Sequence, residues 1–416
     1  MKRLVANHMF VVLLVGLWLI AAHSFALQSD YDFLLSMDSE NQNENDPWRY
    51  MVEINDTGID DEQKFHQVFS AQKYSLLADY DFFAIDYETD SFEEYDAGMI
   101  QYDTSYFFNS WYLSSVFDYS TEQLRPIESD LVLEDSRWGV AGYLYYVTGN
   151  ADTVWQWGIG GRWVNLKSEN RAIFENSEEN QYFLPGLKLS LQHNTGAWIQ
   201  DMFFLYEWSA ASIANTKDIS TQTQRERIFF DTVAIFELAA DYDNSFQLLS
   251  GGHQLQYDIN QTQNARFSLS GQTSFGDPVI RSFQGSVGGL YSVRGYDDYV
   301  LSGDQVIEAS LSYYWAPGLL VGLHPSVSSW VYVFYDWANV KRTAIALTLY
   351  TQSERLLLAR TVPSDERSLA SAGAGIELFY QGNSTLNLVW ALALEEDGVE
   401  TSAGDSRIHF YIRINF

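Results

Sequence analysis

The 416-residue chain contains no cysteine. That absence removes disulfide frameworks, thiolate metal sites and cysteine nucleophiles together. Positive charge is scarce, with 24 Lys and Arg against 55 Asp and Glu for a formal net charge of −31. Such a balance argues against a nucleic-acid partner, because phosphate backbones attract basic surfaces. Long hydrophobic runs are missing after the first 26 residues, and nothing beyond them approaches the roughly 18 consecutive apolar residues of a spanning helix. The motifs of common enzyme classes are absent as well. The sequence has no Gly-x-Ser-x-Gly, no His-Glu-x-x-His and no phosphate loop, and its seven histidines are scattered without ligand spacing. We expect no enzymatic activity, no metal site and no cofactor.

Aromatics are abundant at 16%, and hydrophobic content reaches 46% without long apolar runs. Alternating strands with aromatic girdles produce that combination. The last segment shows the pattern plainly. Ile408, Phe410, Ile412, Ile414 and Phe416 are apolar, while Arg407, His409, Tyr411, Arg413 and Asn415 fill the alternate positions. The two-residue period puts one set toward lipid and the other toward a polar lumen. A terminal Phe on such a strand is a mark of bacterial outer-membrane proteins, and Phe410, Ile412, Ile414 and Phe416 form the candidate targeting strand for the barrel assembly machinery. Apart from a membrane-spanning helix, only a closed barrel pairs every backbone polar group inside lipid. The expected fold is an all-β, transmembrane antiparallel barrel.

Residues 1–26 read as a signal peptide. Lys2 and Arg3 open it, Met9 to Ile20 is apolar apart from Gly16, and Ser24-Phe25-Ala26 offers a small-x-small cleavage site near Ala26. Residues 27–61 form a short acidic periplasmic segment, and residues 62–416 the barrel. Sixteen strands are expected near 64–74, 78–89, 94–105, 108–119, 135–148, 153–167, 181–194, 196–210, 227–241, 244–258, 264–275, 304–316, 328–340, 368–380, 384–395 and 406–416. A weaker candidate at 49–55 is left out. With both termini periplasmic, the connections 276–303, 341–367 and 396–405 fall on the external side. Acidic clusters from Asp86 to Asp96, Glu128 to Asp135, Glu175 to Glu179 and Glu395 to Asp405 read as solvated loops and turns. Monomer is the expected state, since a closed barrel leaves no edge strand, and the surroundings are outer-membrane lipid and lipopolysaccharide.

The connection from Gly276 to Gly303 far exceeds what a hairpin needs, and a loop of that length usually has a job. The next strand places Glu308, Ser310, Ser312 and Tyr314 on its lumen side. One strand later Trp330, Tyr332, Phe334, Asp336 and Ala338 share a face, so Asp336 points into the lumen. An Arg from an inward-folded loop and an ionised Asp there favour a hydrogen-bonded pair.

These segments resemble the outer-membrane transporters of two-partner secretion, of the hemolysin secretion/activation type, within the larger superfamily of barrel insertases and translocases. Ser292-Val293-Arg294-Gly295-Tyr296 resembles that family's Val-Arg-Gly-aromatic loop tip, and Val333-Phe334-Tyr335-Asp336-Trp337-Ala338 its Phe-x-Asp-x-Gly strand. Ala372 to Leu378 resembles the small-residue strand near the end, and Asn55-Asp56-Thr57-Gly58 the barrel entrance. The resemblance implies a plug loop, 276–303, with Val293, Arg294, Gly295 and Tyr296 at its tip and Arg294 paired with Asp336 beside Phe334. It also implies a pore that moves a secreted passenger protein to the cell surface. Two departures stand out. Ala338 occupies the family's Gly position, and no receiving POTRA domains precede the barrel, so a separate POTRA protein is a possible partner. A passive porin-like channel and an insertase or assembly barrel are the other readings.

Overall fold

The computed structural model describes residues 47–56, 65–77, 81–90, 95–108, 110–124, 133–170, 176–209, 222–224, 236–240, 245–317, 326–351, 356–398 and 401–416. The leader and most of the acidic segment expected before the barrel lie outside them.

Sixteen antiparallel strands close into a barrel. We number them β1 (Arg49–Asn55), β2 (His66–Tyr74), β3 (Phe82–Asp90), β4 (Tyr95–Phe108), β5 (Trp111–Leu124), β6 (Leu133–Gly149), β7 (Thr153–Asn170), β8 (Asn176–Asn194), β9 (Trp198–Trp208), β10 (Gln247–Asn260), β11 (Gln263–Thr273), β12 (Gln305–Trp315), β13 (Val327–Arg342), β14 (Asp365–Tyr380), β15 (Ser384–Ala393) and β16 (Ser406–Asn415). Each strand pairs with its sequence neighbours, and β1 pairs with β16 to close the ring.

Two-residue alternation decides which side chains face out. On β16, Ile408, Ile412, Ile414 and Phe416 are exposed while His409, Tyr411 and Arg413 are buried. On β8, Leu187 is exposed and Lys188, Ser190 and Gln192 are buried. The outward band is apolar, as lipid contact requires. Aromatic rings collect at one end of it: Tyr146, Trp155, Trp198, Tyr257 and Tyr380 are all exposed near strand ends joined by short turns, and Trp315 is exposed at the end of β12. Trp198 and Tyr257 pack there as a tilted pair with ring centroids 4.3 Å apart. Connections at that end include 150–152, 195–197, 261–262 and 381–383, whereas 209–246, 274–304, 343–364 and 394–405 lie at the other. Short turns mark the periplasmic end of such barrels and long loops the external end.

Three expectations need correction. The barrel begins at Arg49, inside the segment assigned to a periplasmic extension, and 49–55 is a wall strand. It is short and carries Arg49, Glu53 and Asn55, so its alternation is masked by charge. Its Glu53 and Asn55 face the lumen while Tyr50 and Ile54 face out. Conversely, 227–241 is not a wall strand. Its described part, Phe236–Ala240, pairs with Ile345–Thr351 in a separate four-stranded sheet that also contains Gln222–Gln224 and Leu356–Val362. Alternation identifies a β-strand but not the sheet that receives it. The two errors cancel in the count and reverse the direction assigned to the strands between them. Third, Asp86, Glu88 and Asp90 do not sit in a solvated loop. They are buried on β3, facing the lumen.

Candidate functional site

The connection between β11 and β12 folds into the lumen and reaches from wall to wall. Its first part, with a 3₁₀ turn at Arg281–Phe283, packs Val279, Ile280 and Phe283 on Val164, Leu166, Tyr182, Leu184, Phe246 and Leu248. A two-stranded ribbon, Gly285–Val287 with Leu301–Gly303, then projects the tip toward the opposite wall. Asp304 ties the base down. Its carboxylate accepts from Val279 N at 3.0 Å and from Thr343 N at 2.6 Å.

At the tip, Arg294 and Asp336 are brought together. Arg294 Nε donates to Asp336 Oδ2 and Arg294 Nη2 to Asp336 Oδ1, both at 2.7 Å, and Arg294 N adds a bond to Oδ2 at 3.2 Å. Ser310 on β12 donates to Asp336 Oδ1 at 2.6 Å and accepts from Arg294 Nη2 at 3.2 Å. The guanidinium carbon lies 3.5 Å from the centroid of the Phe334 ring, so that ring forms a floor beneath the pair. The Asp336 side chain is fully buried and that of Arg294 is 11% exposed. Two parallel charge-assisted bonds with a third donor offset the desolvation that such burial imposes.

The neighbouring tip residues have separate anchors. Val293 is buried with Val306, Ala338, Val340 and Leu369. Gly295 has φ +96°, and a Cβ there would lie 3.2 Å from that of Ala391, so both conformation and space favour glycine. The Tyr296 hydroxyl lies 2.8 Å from the carbonyl oxygens of Ala370 and Glu395 and accepts from Glu395 N at 3.2 Å. The small residues of β14 make room for the floor ring: a Cβ on Gly373 would meet Phe334 Cζ at 2.5 Å. Ala338, with one methyl more than glycine, is accommodated and fully buried beneath Val293.

Several tip contacts lie beyond what the sequence reading assigned. Ser292 donates to Glu308 at 2.5 Å, and Ser270 to the same carboxylate at 2.6 Å. Tyr291 donates to Glu53 on β1, Gly295 N to His409 Nε2 on β16 at 3.0 Å, and Arg407 on β16 pairs with Asp297. The alternate polar positions of β16 and the lumen-side place of Glu308 on β12 carried the sequence signal for these partners. The apolar set behaves differently. Ile412, Ile414 and Phe416 face outward, and Phe410 meets Phe65 edge-on at 5.8 Å.

No family model and no curated protein matches the sequence. Solved structures do. The chain is similar to CdiB from Escherichia coli, with a TM-score of 0.64 at 15% identity over 90% of this chain and 64% of that one. CdiB from Acinetobacter baumannii gives 0.58 at 13% identity, covering 89% of this chain and 60% of that one. BamA from Haemophilus ducreyi lacking POTRA domains 1–3 gives 0.56 at 12% identity, covering 89% and 70%. The chain thus spans less than two thirds of either CdiB chain. What it has in common with them is the fold, a closed sixteen-stranded antiparallel barrel, with almost no helix among the described residues.

Proposed function

We propose that the chain is an outer-membrane pore of the two-partner secretion type, closed at rest by its own loop, through which an unfolded protein passenger reaches the cell surface. The observation that carries this reading is the buried Arg294 and Asp336 pair, which ties the tip of a lumen-crossing loop to the inner face of β13. A diffusion channel has no need of such a tie. The fold likeness to CdiB, a two-partner secretion transporter, supports the same reading.

In this mechanism the lock has two states. With the tip docked, Arg294 neutralises a carboxylate that water cannot reach. Withdrawal exposes Asp336 to an aqueous lumen, where hydration replaces the lost pair, so the open state carries a moderate free-energy cost. An entering extended chain supplies the contacts that the tip gives up, and folding of the passenger outside supplies direction. No nucleotide or metal takes part. A receiving POTRA module presents the passenger at the periplasmic end.

Single-channel conductance of the refolded protein in planar bilayers tests this. The natural sequence is compared with Arg294→Ala and with residues 282–300 deleted. Small, flickering currents that become large and steady on deletion support a plugged translocation pore. Large, steady currents in the natural protein, indifferent to both changes, mean an open diffusion channel and retire the reading. A second reading, an insertase or assembly barrel, draws on the short closing ladder between β1 and β16 and on the likeness to BamA. Reconstitution with a separate barrel substrate distinguishes the two, since an insertase accelerates membrane insertion of that substrate and a secretion pore does not.

A further inference from the structure

The closing seam of the barrel is short. β1 and β16 pair over Met51–Asn55 and Tyr411–Asn415, with end bonds at Tyr50, Asp56 and Phe416, whereas β13 and β14 pair along all of Val327–Arg342. A short ladder holds its strands with fewer backbone bonds, so the ring parts most readily there.

The polar side chains lining this seam are the ones the plug touches. Glu53 is 2% exposed and faces its register partner Arg413, which donates to Glu53 Oε2 from Nε at 2.8 Å and lies 2.6 Å away through Nη2. The other oxygen, Oε1, accepts from Asn55 Nδ2 at 2.9 Å and from Tyr291 of the plug. His409 Nε2 accepts the Gly295 N–H, which places the ring proton on Nδ1, 3.0 Å from Asp56 Oδ2. Asp56, just beyond β1, also accepts from Phe410 N at 3.0 Å. Arg407, at the start of β16, holds Asp297.

We infer that the plug tip clasps the seam. While the tip is docked, three of its residues hold β1 and β16 through Glu53, His409 and Arg407, and withdrawal of the plug loosens the closing ladder. Glu53 and His409 are positioning residues in this device, since each joins a seam strand to the plug. Tyr291 completes the shell of a carboxylate that bridges β1 to β16. Without it a buried oxygen loses a donor, and the Glu53–Arg413 bridge is held less firmly. The inference concerns the closed barrel, so its failure leaves the translocation reading standing.

Hydrogen exchange read by mass spectrometry on the full chain in micelles tests it. The natural protein is compared with the double variant Tyr291→Phe/Asp297→Asn, with His409→Leu and with His409→Gln. The clasp predicts roughly tenfold faster exchange at residues 52–54 and 412–414 in the double variant and in His409→Leu, with residues 140–143 and 160–163 of β6 and β7 unchanged. Glutamine keeps an acceptor for Gly295 N and retains most of the protection. Seam exchange that stays within about twofold of the natural protein in both disruptive variants overturns the inference. Equal acceleration in β6 and β7 also overturns it, because the contacts then serve the whole barrel rather than the seam.

Discussion

Asp336 has its carboxylate fully buried on a barrel wall, and the only charge that reaches it among the described ion pairs is Arg294. Removing one partner of a buried pair leaves an uncompensated charge, at a cost of about 3–5 kcal/mol. Arg294→Ala is therefore expected to lower stability by that amount, read from urea unfolding in micelles by the fluorescence of the chain's tryptophans. Asp336→Asn is expected to cost less, because the amide oxygen still accepts a bond from the guanidinium. Arg294→Lys is expected to recover only part of the loss, since an ammonium cannot span both carboxylate oxygens. The double reversal Arg294→Asp/Asp336→Arg tests the pair directly: stability no better than that of the worse single reversal argues against a private ion pair. Gly295→Ala meets both a left-handed φ and the Ala391 wall, and about 1–3 kcal/mol of lost stability is expected in the same assay. The inward aim of Asp336 could be read from the sequence because the two-residue period fixes which wall residues face inward, whereas its pairing with Arg294, a loop residue, was what the family resemblance implied. Ser310 was legible as a lumen residue, but its place between the two charges depends on the neighbour that β12 meets across the ladder.

At the scale of elements, β16 serves two environments through alternate residues. Its inward His409 and Arg413 bind the plug and β1, and its outward Ile412, Ile414 and Phe416 meet lipid. Phe416 is 72% exposed, and its backbone exchanges bonds with Tyr50 at 2.9 and 3.3 Å. Those bonds survive Phe416→Ala. The substitution is thus expected to leave refolding in vitro unchanged while reducing the amount of protein assembled in the outer membrane of cells, measured by heat-modifiable migration on gels. A matching loss in vitro shifts the role of Phe416 from recognition by assembly machinery to barrel stability. The misplaced strand belongs at this scale too. Residues 227–241 carry β-forming character equal to that of wall strands, and Phe236–Ala240 satisfies it in the external sheet. β1 shows the reverse, as its sequence looks polar because half of a lumen strand is meant to be polar.

Across the whole molecule, charge is distributed by sign. Glu53, Asp86, Glu88, Asp103, Asp201, Glu207, Glu308, Asp336 and Glu377 are buried on lumen faces, against Arg137, Arg162, Lys188, Arg266, Arg407 and Arg413 on the wall. Arg162 is held by Glu207 at 2.8 Å and lies over Phe283 of the plug. With residues 282–300 deleted, the wall keeps its acids, while Arg294, Asp297 and Asp298 leave with the loop. Carboxylate-lined pores favour cations. The deleted pore is expected to pass potassium in preference to chloride, read from the reversal potential under a salt gradient. Anion preference means that the inward carboxylates do not set the field along the path.

The sequence by itself determined the architecture: alternation over short segments, a polar lumen face and the absence of any spanning helix leave a closed barrel as the way to pair every backbone group in lipid. It also determined the inward aim of Asp336 and the exceptional length of the connection that carries Arg294. Tertiary structure alone decided which strand closes the ring, which strand leaves the wall for the external sheet, and how the plug meets the seam. Those outcomes join residues far apart in the chain, such as Glu53 with Tyr291 and Gly295 with His409. Periodicity is local and reports which way a side chain faces. Which partner stands opposite depends on register and closure, and those are settled only when all sixteen strands have paired.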